Sequence, residues 1–340
     1  QVMNDVAPPP AIRFRHVTKT FGGVTALDDV SLEVLPGEVH CLAGENGCGK
    51  STIIKIITGV YQPDAGAEME IFGHKLSSIT PTVARKLGIA VIWQDLALFP
   101  QMSVAENIAF ETVLGNFPRI ARYKKMQKVA AEVLSQLSVD LDLSAPLHTL
   151  SVAERQIVAV GRALVGNAKL VFMDEPTASL TQSETDKLLD IVDKLSSNGV
   201  AVVFVSHRLA EVLKISSRVT VLRDGKQVGI YGTEGMSQSR LTELMTGHTF
   251  DAVVRAADRS AAPLVLEVKN LTRKAEFQNI DLTIRAGEVV GITGLIGSGR
   301  TELGHVLFGM AQADSGAIVL NGAPMRFRSN RDAINSGVAY

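Results

Sequence analysis

Residues Gly44-Glu45-Asn46-Gly47-Cys48-Gly49-Lys50-Ser51-Thr52 fit the pattern G-x-x-x-x-G-K-[ST]. Ahead of them, Val39-His40-Cys41-Leu42-Ala43 reads as a short buried strand. Behind them, Thr52-Ile53-Ile54-Lys55-Ile56-Ile57 reads as the start of a helix. A phosphate-binding loop requires that strand–loop–helix order. Glycines let successive backbone N–H groups close around an anion, and the helix N-terminus adds its partial positive charge. Lys50 is then placed to reach the outer phosphates of a nucleotide, and the Ser51 hydroxyl to ligand Mg2+. A glycine-rich turn that merely precedes a lysine is the competing reading. The spacing, the flanks and the hydroxyl speak against it.

At 340 residues the chain exceeds one typical domain, so two or three units are expected. Composition is globular, 46% hydrophobic and 20% charged. With 34 basic and 35 acidic residues, formally −1, there is no general electrostatic ground for binding nucleic acid. A basic stretch from Arg119 to Lys128 reads as a solvated helix face. The two cysteines, Cys41 and Cys48, suggest reduced thiols in a cytosolic protein rather than a disulfide framework. No run of about 18 apolar residues exists to span a bilayer. Residues 1–11 read as a flexible tail, and the first ten lack the apolar core of a signal peptide.

Alternation at Ile12, Phe14, Val30, Leu32 and Val34 predicts two or three antiparallel strands around Phe21-Gly22-Gly23. Further strands are predicted at 67–73, at 88–93 ending on Gln94, at 170–173 capped by Asp174-Glu175-Pro176, and at 200–205 ending in Ser206-His207. A hairpin is predicted over 220–226. Residues 95–165 read as a helical subdomain. There Met126, Val129, Ala130, Val133, Leu134 and Leu137 form one helix face, and Leu150-Ser151 opens another helix. A further helix is predicted from Lys187 to Leu195. The pattern is α/β: a mostly parallel core with an antiparallel β portion and an inserted helical subdomain.

After a polar, Ala-rich linker at 248–262 the pattern starts again. Pro36-Gly37-Glu38-Val39 matches Ala286-Gly287-Glu288-Val289, a shift of 287 − 37 = 250. Asp64-Ala65-Gly66-Ala67 matches Asp314-Ser315-Gly316-Ala317 at the same shift. The expected domains are therefore 12–247 and an N-terminal, truncated part of a second copy at 263–340. Lacking later strands beside it, the stretch 289–293 is expected to be less settled than 39–43.

The phosphate loop, Gln94, Leu150-Ser151, Asp174-Glu175 and His207, in that order, resemble the P-loop ATPase domain of an ABC transporter. Two copies joined by a short linker more closely resemble the fused double-ATPase subunits of bacterial sugar importers (ribose, galactoside and xylose type). That narrower match rests on Trp93-Gln94-Asp95-Leu96-Ala97-Leu98-Phe99-Pro100, Ser206-His207-Arg208-Leu209 and the stretch 294–303. The resemblance covers about residues 12–340. It implies that ATP and Mg2+ bind at Gly44, Glu45, Asn46, Gly47, Cys48, Gly49, Lys50, Ser51 and Thr52, with Phe21 stacking on adenine. Ser51, Gln94 and Asp174 would hold the metal, Asp174 through water. Glu175 would polarise the attacking water, with His207 and Gln94 sensing the γ-phosphate.

Departures from the family pattern matter. Its signature Leu-Ser-Gly-Gly-Gln is here Leu150-Ser151-Val152-Ala153-Glu154, and the second loop carries Arg300 where lysine belongs. Thr272-Arg273-Lys274-Ala275 offers no aromatic matching Phe21. In the family each ATP lies between one domain's loop and the other's signature, so one competent and one degenerate site are implied. The chain shown is expected to bind ATP and hydrolyse it poorly. A transmembrane sugar permease, a periplasmic sugar-binding protein acting indirectly, a homodimer and a peripheral place on the cytoplasmic face of the inner membrane are the implied associations. Other readings are a soluble two-copy ATPase acting on ribosomes, disfavoured by Arg300 and the short linker, and a non-hydrolysing binding module. The set Lys50, Asp174, Glu175 and His207 disfavours the latter.

Overall fold

Strands apolar at every position need cover on both faces. Leu170-Val171-Phe172-Met173 and Ala201-Val202-Val203-Phe204-Val205 are such segments, and they lie side by side near the middle of a six-stranded sheet. The structure, a computed structural model, describes residues 9–114, 123–248, 259–295 and 297–340. They fall into two compact units, 1–250 and 251–340.

The first unit opens with the hairpin β1 (Ile12–Phe21) and β2 (Val24–Val34), then β3 (Val39–Ala43) and α1 (Lys50–Ile57). Next come β4 (Glu68–Ile71), β5 (His74–Leu76), α2 (Pro81–Lys86) and β6 (Ile89–Ile92). Three helices follow: α3 (Val104–Leu114), α4 (Tyr123–Leu137) and α5 (Val152–Val165). The core resumes with β7 (Leu170–Asp174), α6 (Gln182–Ser197), β8 (Ala201–Val205) and α7 (Leu209–Ile215), and closes with β9 (Arg218–Arg223), β10 (Lys226–Gly232) and α8 (Gln238–Thr246).

The large sheet runs β10-β9-β3-β8-β7-β6, parallel except for β10. A separate antiparallel sheet runs β2-β1-β4-β5. Helix α1 lies between the two. Its Ile53, Ile54, Ile56 and Ile57 are fully buried among Phe14 and Leu32 on one side and Leu42, Phe172 and Val203 on the other. The strand period of two sends Val171, Met173, Val202 and Phe204 to the opposite face, onto Leu188, Leu189 and Val192 of α6. Met126, Ala130 and Leu134 of α4 pack with Val104 and Ile108 of α3 and Val158 of α5 as a separate helical core.

Several expectations needed revision. Ala11, assigned to the tail, is fully buried and hydrogen-bonded to Val34 and Phe72. Helix α6 starts at Gln182 rather than Lys187, because Thr181 and Glu184 form a capping box. Most of the 248–262 linker, residues 1–8 and Arg119 lie outside the described residues.

The second unit contains β11 (Leu264–Arg273), β12 (Phe277–Arg285), α9 (Arg300–Leu307), β13 (Ser315–Leu320), β14 (Ala323–Met325) and α10 (Asn330–Asn335). Its sheet order, β12-β11-β13-β14, repeats β2-β1-β4-β5. Hydrogen bonds repeat too. Thr20 N–H donates to Asp64 Oδ2 at 2.9 Å, and Lys274 N–H to Asp314 Oδ2 at 2.7 Å. The shift is 274 − 20 = 254 there and 314 − 64 = 250 afterwards, so the second hairpin is shorter by 254 − 250 = 4 residues. The loss falls at the hairpin tip, which is why Phe21 has no counterpart. The stretch 289–293 forms no strand; Val289 is 97% exposed. Among the described residues no neighbouring strand is there to accept its backbone bonds.

A buried polar cluster locks β3 to β9. His40, with no exposed surface, places Nδ1 2.9 Å from Glu38 Oε1 and Nε2 2.7 Å from Thr220 Oγ1. The Arg218 fork donates to both Glu38 oxygens at 2.7 Å. Burial pushes the Glu38 carboxyl up, but the bonds from His40 and Arg218 outweigh it and bring the pKa down to about 2. Glu38→Ala leaves buried His40 and half-buried Arg218 unmatched and should cost about 3 kcal/mol in denaturant unfolding. Since the pKa is depressed, this stabilisation is full above the ordinary carboxylate range and is lost as pH falls toward about 2. Wild type and variant should therefore converge in stability in acid.

Candidate functional site

In parallel α/β sheets, ligands sit off the carboxyl ends of the strands. The loop at 44–49 leaves that end of β3, Asp174 and Glu175 that end of β7, His207 that end of β8, and Gln94 that end of β6. Strand order therefore gathers residues that lie 163 positions apart at most in the sequence (207 − 44).

The phosphate loop is built for an anion. Gly49, at φ 105°, is the N-cap of α1, and a Cβ there would fall 2.5 Å from Leu27 Cδ2 and 2.8 Å from the Ala26 carbonyl. No side chain caps α1, so its first N–H groups stay available for phosphate oxygens. Lys50 Nζ donates to the carbonyls of Gly44 and Glu45 at 2.7 and 2.8 Å. A bound phosphate would exchange these contacts for charge-assisted ones. Glu45, Asn46, Gly47 and Ser51 are exposed, and Thr52 is half-buried with its N–H on the Gly49 carbonyl. Cys48 is turned inward instead, 4% exposed. Burial pushes its thiol up against the pull of Lys50. Its sulfur packs beneath the loop, 3.8 Å from Lys50 Nζ, so a modifying reagent should reach it slowly. Cys41, wholly buried, is pushed up to about 12. Both thiols are free.

Glu175 stands at φ 47°, an uncommon conformation for a side chain with a Cβ. Its N–H is held by the Val205 carbonyl at 2.9 Å, and its Oε1 lies 3.1 Å from His207 Nδ1. The other His207 nitrogen has no partner among the described residues. Burial first, and then the adjacent Glu175 charge, push the Asp174 carboxyl above the usual range, while Lys50 and Lys55 pull it down. Two carboxylates adjoining in sequence, with Lys50 acting on Asp174, are the kind of oxygen donors that a divalent cation takes. Gln94 is exposed one strand over, with Ile92 paired to Met173. It makes no hydrogen bond among the described residues, so the structure brings its loop, not its amide, to the site.

That loop is tied to the helical core by side chains that sequence reading missed. Arg162 of α5 donates to the carbonyls of Leu96 and Ala97, both at 2.8 Å. Ala97 stands at φ 48°. Asn107 of α3, fully buried, accepts from Phe99 N–H and donates to the carbonyls of Phe99, Met102 and Ser103. Residues 96–103 are thus hydrogen-bonded to both α3 and α5. A lone Arg and Asn on helix faces carried no sequence signal.

Phe21 is 39% exposed and meets Tyr61 edge to face at 5.1 Å, with Lys19 Nζ 5.3 Å from its ring. At 150–154, Ser151 caps α5. It accepts from Glu154 N–H at 3.2 Å, while the Glu154 carboxylate takes the Ser151 N–H at 2.7 Å. A carboxylate thus occupies the helix N-terminus where an anion would otherwise bind. In the second unit, Gly299 (φ 83°) repeats Gly49: its Cβ would lie 2.4 Å from the Glu276 carbonyl. Arg300 donates to the Leu295 carbonyl at 3.3 Å, so the close approach at the helix start survives while the ammonium is gone.

A family model described as ABC transporter matches residues 27–178 and 277–340. Ribose import ATP-binding protein RbsA 2 of Rubrobacter xylanophilus is 44% identical over 335 residues, covering 97% of this chain and 64% of that relative. RbsA of Geobacillus kaustophilus is 40% identical, covering 96% and 66%. The chain thus spans about two-thirds of the length of the curated relatives it matches. Among solved structures, an ATP-binding cassette of an ABC transporter (MJ1267, ADP conformation) superposes with TM-score 0.62 at 25% identity, over 71% of this chain and all of the other. A dimeric cassette (MJ0796) bound to ADP and Pi gives 0.57 at 25%, over 66% of this chain and all of the other.

A raised Asp174 pKa means that its ionised form opposes folding at neutral pH. Asp174→Asn should raise the thermal midpoint of the nucleotide-free protein by a few degrees and remove the Mg2+ dependence of nucleotide binding. In wild type, Mg2+-dependent affinity should weaken as falling pH protonates Asp174 earlier than an ordinary carboxylate; the variant should show no such trend.

Proposed function

The chain belongs to the ABC transporter family, and on that footing we propose that it is the ATP-binding and ATP-hydrolysing subunit of a sugar importer. It would carry one competent nucleotide site on the Lys50 loop and one degenerate site. The observation that carries this is the meeting, at one edge of the sheet, of the Lys50 loop with Asp174 and the Glu175–His207 pair. The relatives' names supply the sugar class: ribose import.

In this reading the N–H groups at 47–52 and the Lys50 ammonium bind the β- and γ-phosphates of ATP. Ser51 and Asp174, with Gln94 once its loop closes, hold Mg2+, which neutralises phosphate charge when bound. Glu175 accepts a proton from the attacking water. His207 Nδ1 stays on Glu175, and Nε2 serves the γ-phosphate. Phe21 offers a face to adenine. The degenerate site is supported by two features: Glu154 puts a carboxylate where the signature would take phosphate, and Arg300 replaces a compact ammonium by a broad fork.

Because Arg162 and Asn107 clamp 96–103 to the helical core, closure around nucleotide would move Gln94 and that core together. The surface beyond Gln94 would then contact a transmembrane permease, with the subunit at the cytoplasmic face of the membrane. A periplasmic binding protein would deliver the sugar. The dimeric cassette found among similar structures supports pairing of two such domains.

Turnover and co-fractionation test the proposal together. Glu175→Gln should retain Mg-ATP binding while turnover falls about 100-fold or more, and the native protein should fractionate with a membrane permease. Turnover indifferent to Glu175, or fractionation with ribosomes, would overturn it.

A further inference from the structure

His207 is mostly exposed, its side chain 58% accessible. Glu175 is the ring's one hydrogen-bond partner among the described residues. Its placement must come from the backbone on either side, and that backbone is anchored. Ser206 is 2% exposed, Thr177 1% and Glu211, in the first turn of α7, 6%. A carboxylate so buried requires donors, and it takes them from both catalytic loops. Thr177 Oγ1 donates to Glu211 Oε2 at 2.5 Å. Ser206 Oγ lies 3.5 Å from the same oxygen. Arg208 Nη1 donates to Glu211 Oε1 at 3.1 Å. Arg208 closes the circuit: its N–H donates to Ser206 Oγ at 3.0 Å and its Nη2 to the Ala178 carbonyl at 3.2 Å.

We propose that Glu211 is a positioning residue for the Glu175–His207 pair. Its buried carboxylate joins the loop after β7, at 177–178, to the loop after β8, at 206–208, so that the two side chains meet. Glu211 touches no reacting atom. It acts through Thr177, Ser206 and Arg208, the residues flanking the pair. The Glu175 backbone, at φ 47°, needs such restraint, because an unsupported segment relaxes out of that conformation. The phosphate loop lies outside the circuit, so nucleotide binding and turnover should separate. The proposal rests on Glu175 and His207 being the hydrolytic pair.

The test compares Glu211→Gln, which keeps shape but loses the charge, Thr177→Val, which removes one hydroxyl at constant volume, and Thr177→Ser, which restores it. Three readouts are taken on the 340-residue chain: Mg-ATP affinity, Glu175-dependent turnover, and amide hydrogen exchange. Glu211→Gln should leave affinity within about twofold and lower turnover about tenfold or more, a part of the general-base contribution. Exchange should rise at 175–178 and 206–208 together and stay unchanged at 44–57. Thr177→Val should act in the same sense, and Thr177→Ser should recover the wild-type values. A residue that merely supports α7 would instead raise exchange at 209–215 alone, or weaken affinity and turnover in parallel; either overturns the proposal. So does turnover within twofold of wild type with both loops still protected. Wild-type turnover that ignores Glu175→Gln would overturn the assignment of the pair itself, while the exchange pattern still decides whether Glu211 joins the loops.

Discussion

One backbone turn has no room for side chains at two of its glycines, Gly44 and Gly49, and the site depends on it. Between β3 and α1, Gly49 is backed by Ala26 and Leu27 of β2, and a Cβ at Gly44 would lie 2.4 Å from the Leu222 carbonyl of β9. The antiparallel sheet and the edge of the parallel sheet therefore press on the loop from two sides. That pressure keeps successive N–H groups turned toward one point, with the start of α1 behind them. The isoleucines of α1, buried between both sheets, fix the helix and so fix the cradle. Every other candidate residue is placed relative to this turn by strand order.

The second unit shows which parts of that arrangement are separable. Its glycine at 299 is backed by Glu276 and Phe277 as Gly49 is by Ala26 and Leu27, so the close approach of loop and hairpin persists. Three things are gone. The hairpin tip is four residues shorter, which removes the aromatic. The lysine is an arginine. The strand corresponding to β3 is not formed over 289–293, since a strand buried on both faces needs neighbours on both edges. The close approach of helix start and hairpin is thus a local property of glycine position and hairpin support, whereas binding chemistry needs the side chains and the sheet.

Local order was legible where it depends on short range. The phosphate loop, the strands at 170–174 and 201–205, the apolar face of α4 and the 250-residue repeat all follow from spacing and periodicity in the chain. So did the candidates at strand ends, because a carboxylate or histidine closing an apolar run must emerge at the sheet edge. What stayed hidden depends on pairs far apart in sequence. Arg162 reaching Leu96, Asn107 holding 99–103 and Glu211 joining 177 to 206 each look like ordinary helix residues until the helices are packed. The start of α6 was misplaced because a capping box outweighed apolar periodicity. The motif gives the place of Cys48 in the loop but not the direction of its side chain, which packs into the core.

Stability and function pull apart at Asp174, whose carboxyl the fold holds in a setting that favours its neutral form. The central claim is that one of the two loops binds nucleotide and that Lys50 is why. Calorimetric titration of the chain with Mg-ATP tests it most directly. The account predicts one site per chain, abolished by Lys50→Ala and unchanged by Arg300→Ala. Two equivalent sites per chain, or one site that survives Lys50→Ala and disappears with Arg300→Ala, would contradict it.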